Sequence, residues 1–382
     1  MAEFLKLLIS LSEKAANLAR VIRSEHALFE LLVEEKTGDA KNKRFVQDFK
    51  TLADVLIQEM IKHDVSEKFP EMKEHIYGEE SNLFTNTLGE SIAVGVQSTQ
   101  EETAQLLGKV LDGNTAAANI LAKVIHQELD EVKDEKVDKL VLELDMENFA
   151  IWIDPIDSTS EYIKGISDNV AENGVHSCGL ECSTVLIGVY DRNTGLPVIG
   201  VINQPFAQLD KTTAKWQGRP IWGVCWKDIR ANSYSDGHDS QERKSPLAVV
   251  LSSSEQENIK SAVAAGGKGR YQYASGAGYK ALCVSDKLVD AYILSKGTTF
   301  KWDCCAPHAI LTSMGGGIVD LKKAMQCGDD GACLNSAAIH YDKPDSNDYE
   351  PGQKWANSGG MIAYWSEDAA KEILKLLQTH KL

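Results

Sequence analysis

Ile151-Trp152-Ile153-Asp154-Pro155-Ile156-Asp157-Ser158-Thr159 decides how the chain is read. Three bulky apolar residues predict a buried strand. Two carboxylates separated by a proline follow, then two hydroxyls, Glu161 and a short helical pattern. Pro155 fixes its own φ and biases Asp154 toward extended backbone, so both acids sit at a strand-to-helix corner. Two carboxylates, the Ile156 carbonyl between them and a hydroxyl form an all-oxygen set suited to a hard cation. A strand ending in an ordinary polar turn fits the same residues.

Two further acidic elements weigh against the ordinary turn. His75-Ile76-Tyr77-Gly78-Glu79-Glu80-Ser81 places adjacent acids after a glycine. Phe300-Lys301-Trp302-Asp303-Cys304-Cys305-Ala306-Pro307-His308 puts an aspartate at a helix start, with Pro307 expected in the first turn. Three acidic elements beside Gly, Pro or a helix start look like the ligand set of a multi-metal phosphoryl-transfer centre.

These motifs, Gly78–Ser81, Trp152–Thr159 and Lys301–Leu311, resemble in content and order those of the Mg-dependent, lithium-sensitive phosphatase superfamily that includes inositol monophosphatase and fructose-1,6-bisphosphatase. The stretches Gly188–Phe206, Gly276–Val284 and Thr298–Asp303 are similar to the branch that removes the 1-phosphate from inositol polyphosphates. Ser158 departs from the pattern, since most superfamily members carry glycine there. The resemblance implies a layered αβαβα sandwich of the α+β or α/β class. It also implies two or three Mg2+ per site and inhibition by Li+. The metal shell it implies is Glu79, Asp154, the Ile156 carbonyl, Asp157, Thr159 and Asp303, with Glu80 a weaker ligand or a partner of a ligand water.

Asp54 belongs to a helical stretch, Phe49–Met60, and lies near the edge of its apolar stripe, where an acid is ordinarily solvated. The resemblance of Thr51-Leu52-Ala53-Asp54 to the family's T-x-x-D element implies instead that Asp54 and Thr159 hold and deprotonate the attacking water. Ser275-Gly276-Ala277-Gly278-Tyr279-Lys280 combines bare amides, a helix N-terminus and a lysine, each favouring an anion. The resemblance makes this element, with Ser252-Ser253-Ser254, the substrate pocket. Residues expected to touch substrate are Asp157, Ser158, Thr159, Ser253, Ser254, Gly276, Ala277, Lys280 and Asp303. The serines also read as a plain N-cap. Lys301 reads equally as a substrate contact or a surface charge.

The implied substrates are inositol 1,4-bisphosphate and inositol 1,3,4-trisphosphate. The rivals are a 3'(2'),5'-bisphosphate nucleotidase and a catalytically silent inositol phosphate-binding protein; the complete acid set argues against the silent protein. A net charge of −16 argues against nucleic acid or an anionic membrane as partner. Eight cysteines without paired C-x-x-C spacing suit a reducing cytosol better than a zinc site or a disulfide framework. Cys304 and Cys305 are expected as free thiols. No apolar run approaches the roughly 18–20 residues of a spanning helix. A cytoplasmic enzyme, monomeric or weakly self-associating, is the expectation.

Along the chain, helices are predicted over 3–35 and 45–65, joined by polar Lys36–Lys43. Two helical pieces in Thr103–Ala122 are broken at Asp112-Gly113-Asn114, and 132–140 reads as a charged loop. A polar loop covers 167–177. Thr184–Tyr190 and Pro197–Ile202 predict a hairpin, and Trp216–Pro220 with Ile221–Trp226 a second. The polar segment 227–246 suggests a boundary between a metal-binding domain, 1–246, and a substrate-binding domain, 247–382. Strands at Leu247–Leu251, Ala291–Ser295, Gly317–Leu321 and Gly359–Trp365 alternate with helices at Glu255–Ala265, Lys280–Val289, Ala306–Met314 and Glu367–Leu377. A polar loop spans 326–353.

Overall fold

The computed structural model describes residues 2–24, 33–36, 49–167, 173–235, 237–238, 246–326 and 331–380. Parts of six predicted segments (25–32, 37–43, 45–48, 168–172, 236 with 239–245, and 327–330) lie outside these residues.

Phe149–Asp157 is a strand buried along its whole length. It reads as a continuous apolar run because both faces are covered. Ile151 and Ile153 face one core, shared with Leu18 of the helix Ala2–Ser24 and Ile57 of the helix Leu52–Lys68. Ala150 and Trp152 face a second core. The strand belongs to a six-stranded sheet in the order Ile229–Asn232, Lys215–Trp226, Pro197–Asp210, Thr184–Asp191, Phe149–Asp157, Ile76–Gly78. All neighbours are antiparallel except the last pair. A five-stranded sheet runs Gly269–Tyr273, Leu247–Leu251, Ala291–Leu294, Met361–Tyr364, Gly317–Asp320.

Between the sheets lie the helices Ala277–Ser285 and Lys301–Ser313, within one core that takes Trp152, Leu186 and Ile202 from the first sheet and Val250, Tyr292 and Ala363 from the second. The far face of the second sheet, with Val249, Ile293 and Ile362, is covered by Glu257–Ala264 and Glu367–Thr379. The layers are helix, sheet, helix, sheet, helix, in agreement with the expected sandwich. Among the described residues no helix is long and apolar enough to cross a membrane.

The middle layer approaches the first sheet unusually closely. Gly188, Gly200 and Gly223 are register partners on three adjacent strands. A Cβ on Gly200 would lie 2.0 Å from the Ala306 carbonyl oxygen, one on Gly188 2.5 Å from Ala306 N, and one on Gly223 2.6 Å from Ile310 Cα. The three glycines form a groove that seats the Lys301–Ser313 helix backbone to backbone. No side chain can share that space.

Several predicted elements differ. The first helix is described over Ala2–Ser24, and Val33–Glu35 is a strand paired with Phe49–Thr51 rather than helix. The second helix begins at Leu52, because Thr51 and Asp54 close a capping box. Within 132–140, Asp134 caps a short helix, Glu135–Asp138. Residues 216–226 form one strand, not a hairpin. Pro220 is accommodated where that strand has a described neighbour on one side only. The helix predicted over 280–289 starts at Ala277 and ends at Ser285. That predicted over 306–314 starts at Lys301, so Pro307 sits in its second turn rather than its first. The strand Gly269–Tyr273 was not expected, and Gly331–Ser336 is a helix within the predicted 326–353 loop.

Gly200→Ala should lower stability to denaturant by roughly 1–3 kcal/mol or more, since the new methyl meets backbone that can only move away. Gly108→Ala is the contrast, because Gly108 lies in the helix Gln100–Val110 with nothing within 4 Å of an added Cβ. That change should stabilise by roughly 0.5–1 kcal/mol. Equal effects in urea titrations would show that the glycine groove does not set the helix position.

Candidate active site

The paired register of Phe149–Asp157 with Thr184–Asp191 slips between Asp154, opposite Leu186, and Asp157, opposite Thr184. One extra residue is accommodated at Pro155-Ile156, where the proline has no N–H to give the ladder. In a regular strand, side chains three apart point to opposite faces. The bulge re-phases the strand, so Asp154 and Asp157 point the same way. Asp303, in the first turn of the Lys301–Ser313 helix, completes a group whose carboxylate oxygens lie within 4.8 Å of one another.

Two of the three acids are held by specific donors. Phe300 N donates to Asp303 Oδ2 at 2.6 Å. Gly278 N and Ala277 N donate to Asp157 at 2.8 and 3.2 Å, and Thr184 Oγ1 adds a longer bond of 3.4 Å. Asp157 thus caps the Ala277–Ser285 helix, whose positive end stabilises it. Asp154 Oδ1 is buried without a hydrogen-bond partner. Burial pushes the Asp154 and Asp303 carboxyls well above the usual carboxylate range, with repulsion from neighbouring acids adding to it. Burial also raises Asp157, against the opposing charge of Lys280. Three buried carboxyls that resist ionisation together, one with an orphaned oxygen, fit a bound divalent cation.

Glu79 continues the first sheet, its N–H donating to the Ile153 carbonyl at 3.1 Å. Gln58 holds the following turn, donating to the Glu80 carbonyl at 2.6 Å and accepting from Glu80 N at 2.9 Å. A Cβ on Gly78 would fall 1.9 Å from Gln58 Oε1, so a side chain there would push Gln58 out of its bonds to Glu80. Lys36 Nζ lies 2.6 Å from both Glu79 Oε1 and Glu80 Oε1. Burial nevertheless pushes Glu80 up to about 8, with Lys36 opposing it. In sequence Lys36 opens the polar stretch expected to join two helices. Only the pairing of Val33–Glu35 with Phe49–Thr51 carries it inward.

Asp54 is buried, not solvated. Its Oδ2 accepts from Thr51 N at 2.6 Å and Thr51 Oγ1 at 2.7 Å, while Oδ1 is buried and unpartnered. Burial lifts its carboxyl to about 7, against the two Thr51 bonds. Thr159 Oγ1 donates to the Ile156 carbonyl at 3.0 Å. Asp54 and Thr159 therefore bond to other partners rather than to each other. Ser158 adopts φ 71° and ψ 44°, the left-handed conformation that glycine occupies at lowest cost.

A cavity of about 1210 Å3 opens on this cluster. Glu79, Asp154, Asp157 and Asp303 line it together with Thr159, Ser253 and Ser254. The serines are exposed and do not cap the helix that follows, whose N-cap is Gln256. Gly276, Ala277 and Lys280 also line the cavity. Lys280 is buried, its Nζ donating to the carbonyls of Gly276 at 2.6 Å and Ala274 at 3.2 Å. Lys301 is not a surface charge: it is buried, paired with Asp345 at 2.6 Å, and is not among the residues lining the cavity. Cys304 and Cys305 are free and buried, their thiols pushed up by burial. His308 is held by the Tyr341 hydroxyl at 2.9 Å, and burial pushes it down to about 3.

A model of the inositol monophosphatase family matches residues 2–356. The chain is 46% identical to an inositol polyphosphate 1-phosphatase of Mus musculus, over 99% of this chain and 97% of the relative. It is equally similar to that of Homo sapiens over the same shares. A 3'(2'),5'-bisphosphate nucleotidase 1 of Rattus norvegicus is 25% identical over 86% of this chain and 87% of its own. Among solved structures, the fold is similar to the extragenic suppressor protein suhB of Bartonella henselae, with TM-score 0.53, 13% identity and 98% of each chain covered. It is also similar to a Thermotoga maritima IMPase, with TM-score 0.51, 12% identity, and 99% of this chain and 98% of that one covered.

The raised carboxyls give stability a definite pH dependence. Asp54 and Glu80 take up protons on folding between their ordinary values of 3.8 and 4.5 and their folded values of about 7 and about 8. Their contribution is complete below the lower pair and is lost as pH rises through the upper pair. In EDTA, Tm should fall between pH 5 and pH 8. Added Mg2+ should raise Tm more at pH 8 than at pH 5, and a Mg2+ increment independent of pH would contradict the burial of these charges.

Proposed function

The chain belongs to the inositol monophosphatase family, and from that premise we propose that it is a Mg2+-dependent phosphomonoesterase that removes the 1-phosphate from inositol polyphosphates. The observation that carries the reading is the convergence of Asp154, Asp157 and Asp303 at one end of a serine- and lysine-lined cavity. Full-length likeness to inositol polyphosphate 1-phosphatases supports the substrate class. Inositol 1,4-bisphosphate would yield inositol 4-phosphate, and inositol 1,3,4-trisphosphate would yield inositol 3,4-bisphosphate.

Glu79, Asp154, Asp157, Asp303 and the Ile156 carbonyl would hold the cations, with Glu80 alongside. Divalent ions held there would supply charge neutralisation for the phosphate and acidify a water. The protein's own groups orient that water. Thr159 lines the cavity beside the acids, and Asp54 offers a buried carboxyl near neutrality with one unpartnered oxygen. A base poised near the working pH transfers protons most effectively. Lys280 faces Asp157 as a counter-charge from the cavity wall. An all-oxygen site for small hard cations also supports inhibition by Li+ in competition for a cation position.

Phosphate release from inositol 1,4-bisphosphate with Mg2+ tests the reading, with adenosine 3',5'-bisphosphate as the competing substrate. The inositol compound should give the higher kcat/KM, and EDTA should abolish turnover. Preference for the nucleotide would assign the chain to the nucleotidase branch instead. Cation binding without turnover of either would make it a binding protein.

Two substitutions separate the roles. Asp154→Asn should weaken Mg2+ binding and activity while stabilising the EDTA-treated protein, because one buried acid is removed from a repulsive cluster. Asp54→Ala should lower kcat by about 10²-fold or more with little change in KM. Wild-type activity for Asp154→Asn at limiting Mg2+, or a KM effect alone for Asp54→Ala, would contradict these assignments.

A further inference from the structure

The five lysines that line the cavity fall into two sets. Lys36 and Lys280 are buried and engaged with the acid end, Lys36 through Glu79 and Glu80 and Lys280 through the charge of Asp157. Lys296, Lys322 and Lys354 have no carboxylate partner among the described residues. Lys296 Nζ meets the Ser254 carbonyl. Lys322 Nζ reaches the Ser358 carbonyl only at 3.4 Å, and Lys354 Nζ rests 4.9 Å from the centre of the Trp355 ring. Asp345, which Ser358 N bonds at 2.9 Å, is already paired with Lys301.

In a chain of net charge −16 this pattern is informative. Some exposed lysines elsewhere pair with an acid one helical turn away, as in Lys139–Glu135 and Lys371–Glu367. Here three ammonium groups from separate elements border one cavity: the segment after Ala291–Leu294, the helix Leu321–Ala324 and the segment before Met361–Tyr364. None of the three is paired with a carboxylate among the described residues, and their carbonyl and ring contacts are ones a phosphate oxygen readily replaces.

We propose that Lys296, Lys322 and Lys354 form a second anion site, which holds a substrate phosphate other than the one hydrolysed and so selects polyphosphates over monophosphates. The inference rests on the functional reading above and deepens it. The cavity, about 1210 Å3, is large enough for a ring with phosphates at both ends, since ordinary small-molecule pockets span roughly 300–1,000 Å3. Lysine serves this task as a mobile point charge that follows phosphates at different ring positions. The same three charges draw a polyanion toward a protein whose overall field repels it.

Lys322→Ala/Lys354→Ala and Lys296→Ala are compared with wild type on inositol 1,4-bisphosphate and inositol 1-phosphate, with thermal denaturation verifying the fold. The ratio of kcat/KM for bisphosphate over monophosphate should fall at least about tenfold in the double variant, the loss of one charge-assisted hydrogen bond or more. The Arg pair, Lys322→Arg/Lys354→Arg, should restore much of the ratio. Calorimetric titration with inositol 4-phosphate, which lacks the reacting phosphate, reads the site without turnover, and its Kd should rise by a similar factor. An unchanged ratio, equal losses on both substrates, or unchanged inositol 4-phosphate binding would each overturn the proposal. If wild type hydrolyses neither compound, the phosphatase reading fails, and the inositol 4-phosphate titration still decides the lysine site.

Discussion

One extra residue in a buried strand sets the chemistry of this protein. Asp154 and Asp157 are three apart, a spacing that a regular strand would send to opposite faces. The slip at Pro155-Ile156 turns them to one side, toward the middle helical layer. The remaining features of the centre accommodate that decision. Asp157 is steadied by the helix it caps, and Glu79 is brought alongside by the short parallel strand Ile76–Gly78.

The third aspartate arrives by backbone packing. Gly188, Gly200 and Gly223 let the Lys301–Ser313 helix lie directly on the sheet, which carries Asp303 to the end of the Phe149–Asp157 strand. Gathering buried acids in this way opposes folding, because like charges in a low dielectric repel and resist ionisation. Such an arrangement persists where a cation offsets the repulsion. Lys36 already does so for Glu79 and Glu80. The lysines bordering the cavity extend the same principle outward, from charges that bind metal to charges suited to bind phosphate.

Local chemistry made much of this legible in sequence. The apolar run 151–153, the proline between two acids and the Asp191–Gly195 turn each act over a few residues, and each lies where expected. Asp154, Asp157 and Asp303 were legible because three acidic elements, each ordinary by itself, occur together and in the order of a known family. What depended on long-range packing was not. Lys36 read as part of a polar connector and Asp54, on its helical pattern alone, as a solvated charge, and their burial comes from strand pairing and helix placement. The glycine row emerges only when three strands are set in register. Lys301 hides its ion pair with Asp345 because the two are brought together from distant parts of the chain. Ser158 sits where most superfamily members carry glycine, and the left-handed φ at that position supplies the reason.

The central claim is that Asp154, Asp157 and Asp303 form a cation site by virtue of the bulge and the seated helix. Mn2+ offers the most direct test, as an anomalous scatterer that takes oxygen ligands as Mg2+ does. Crystals soaked in Mn2+ should give an anomalous difference peak bounded by these three carboxylates, and the peak should vanish in Asp154→Asn. A structure in saturating Mn2+ with no peak among them, or with the ion held elsewhere, would contradict the account.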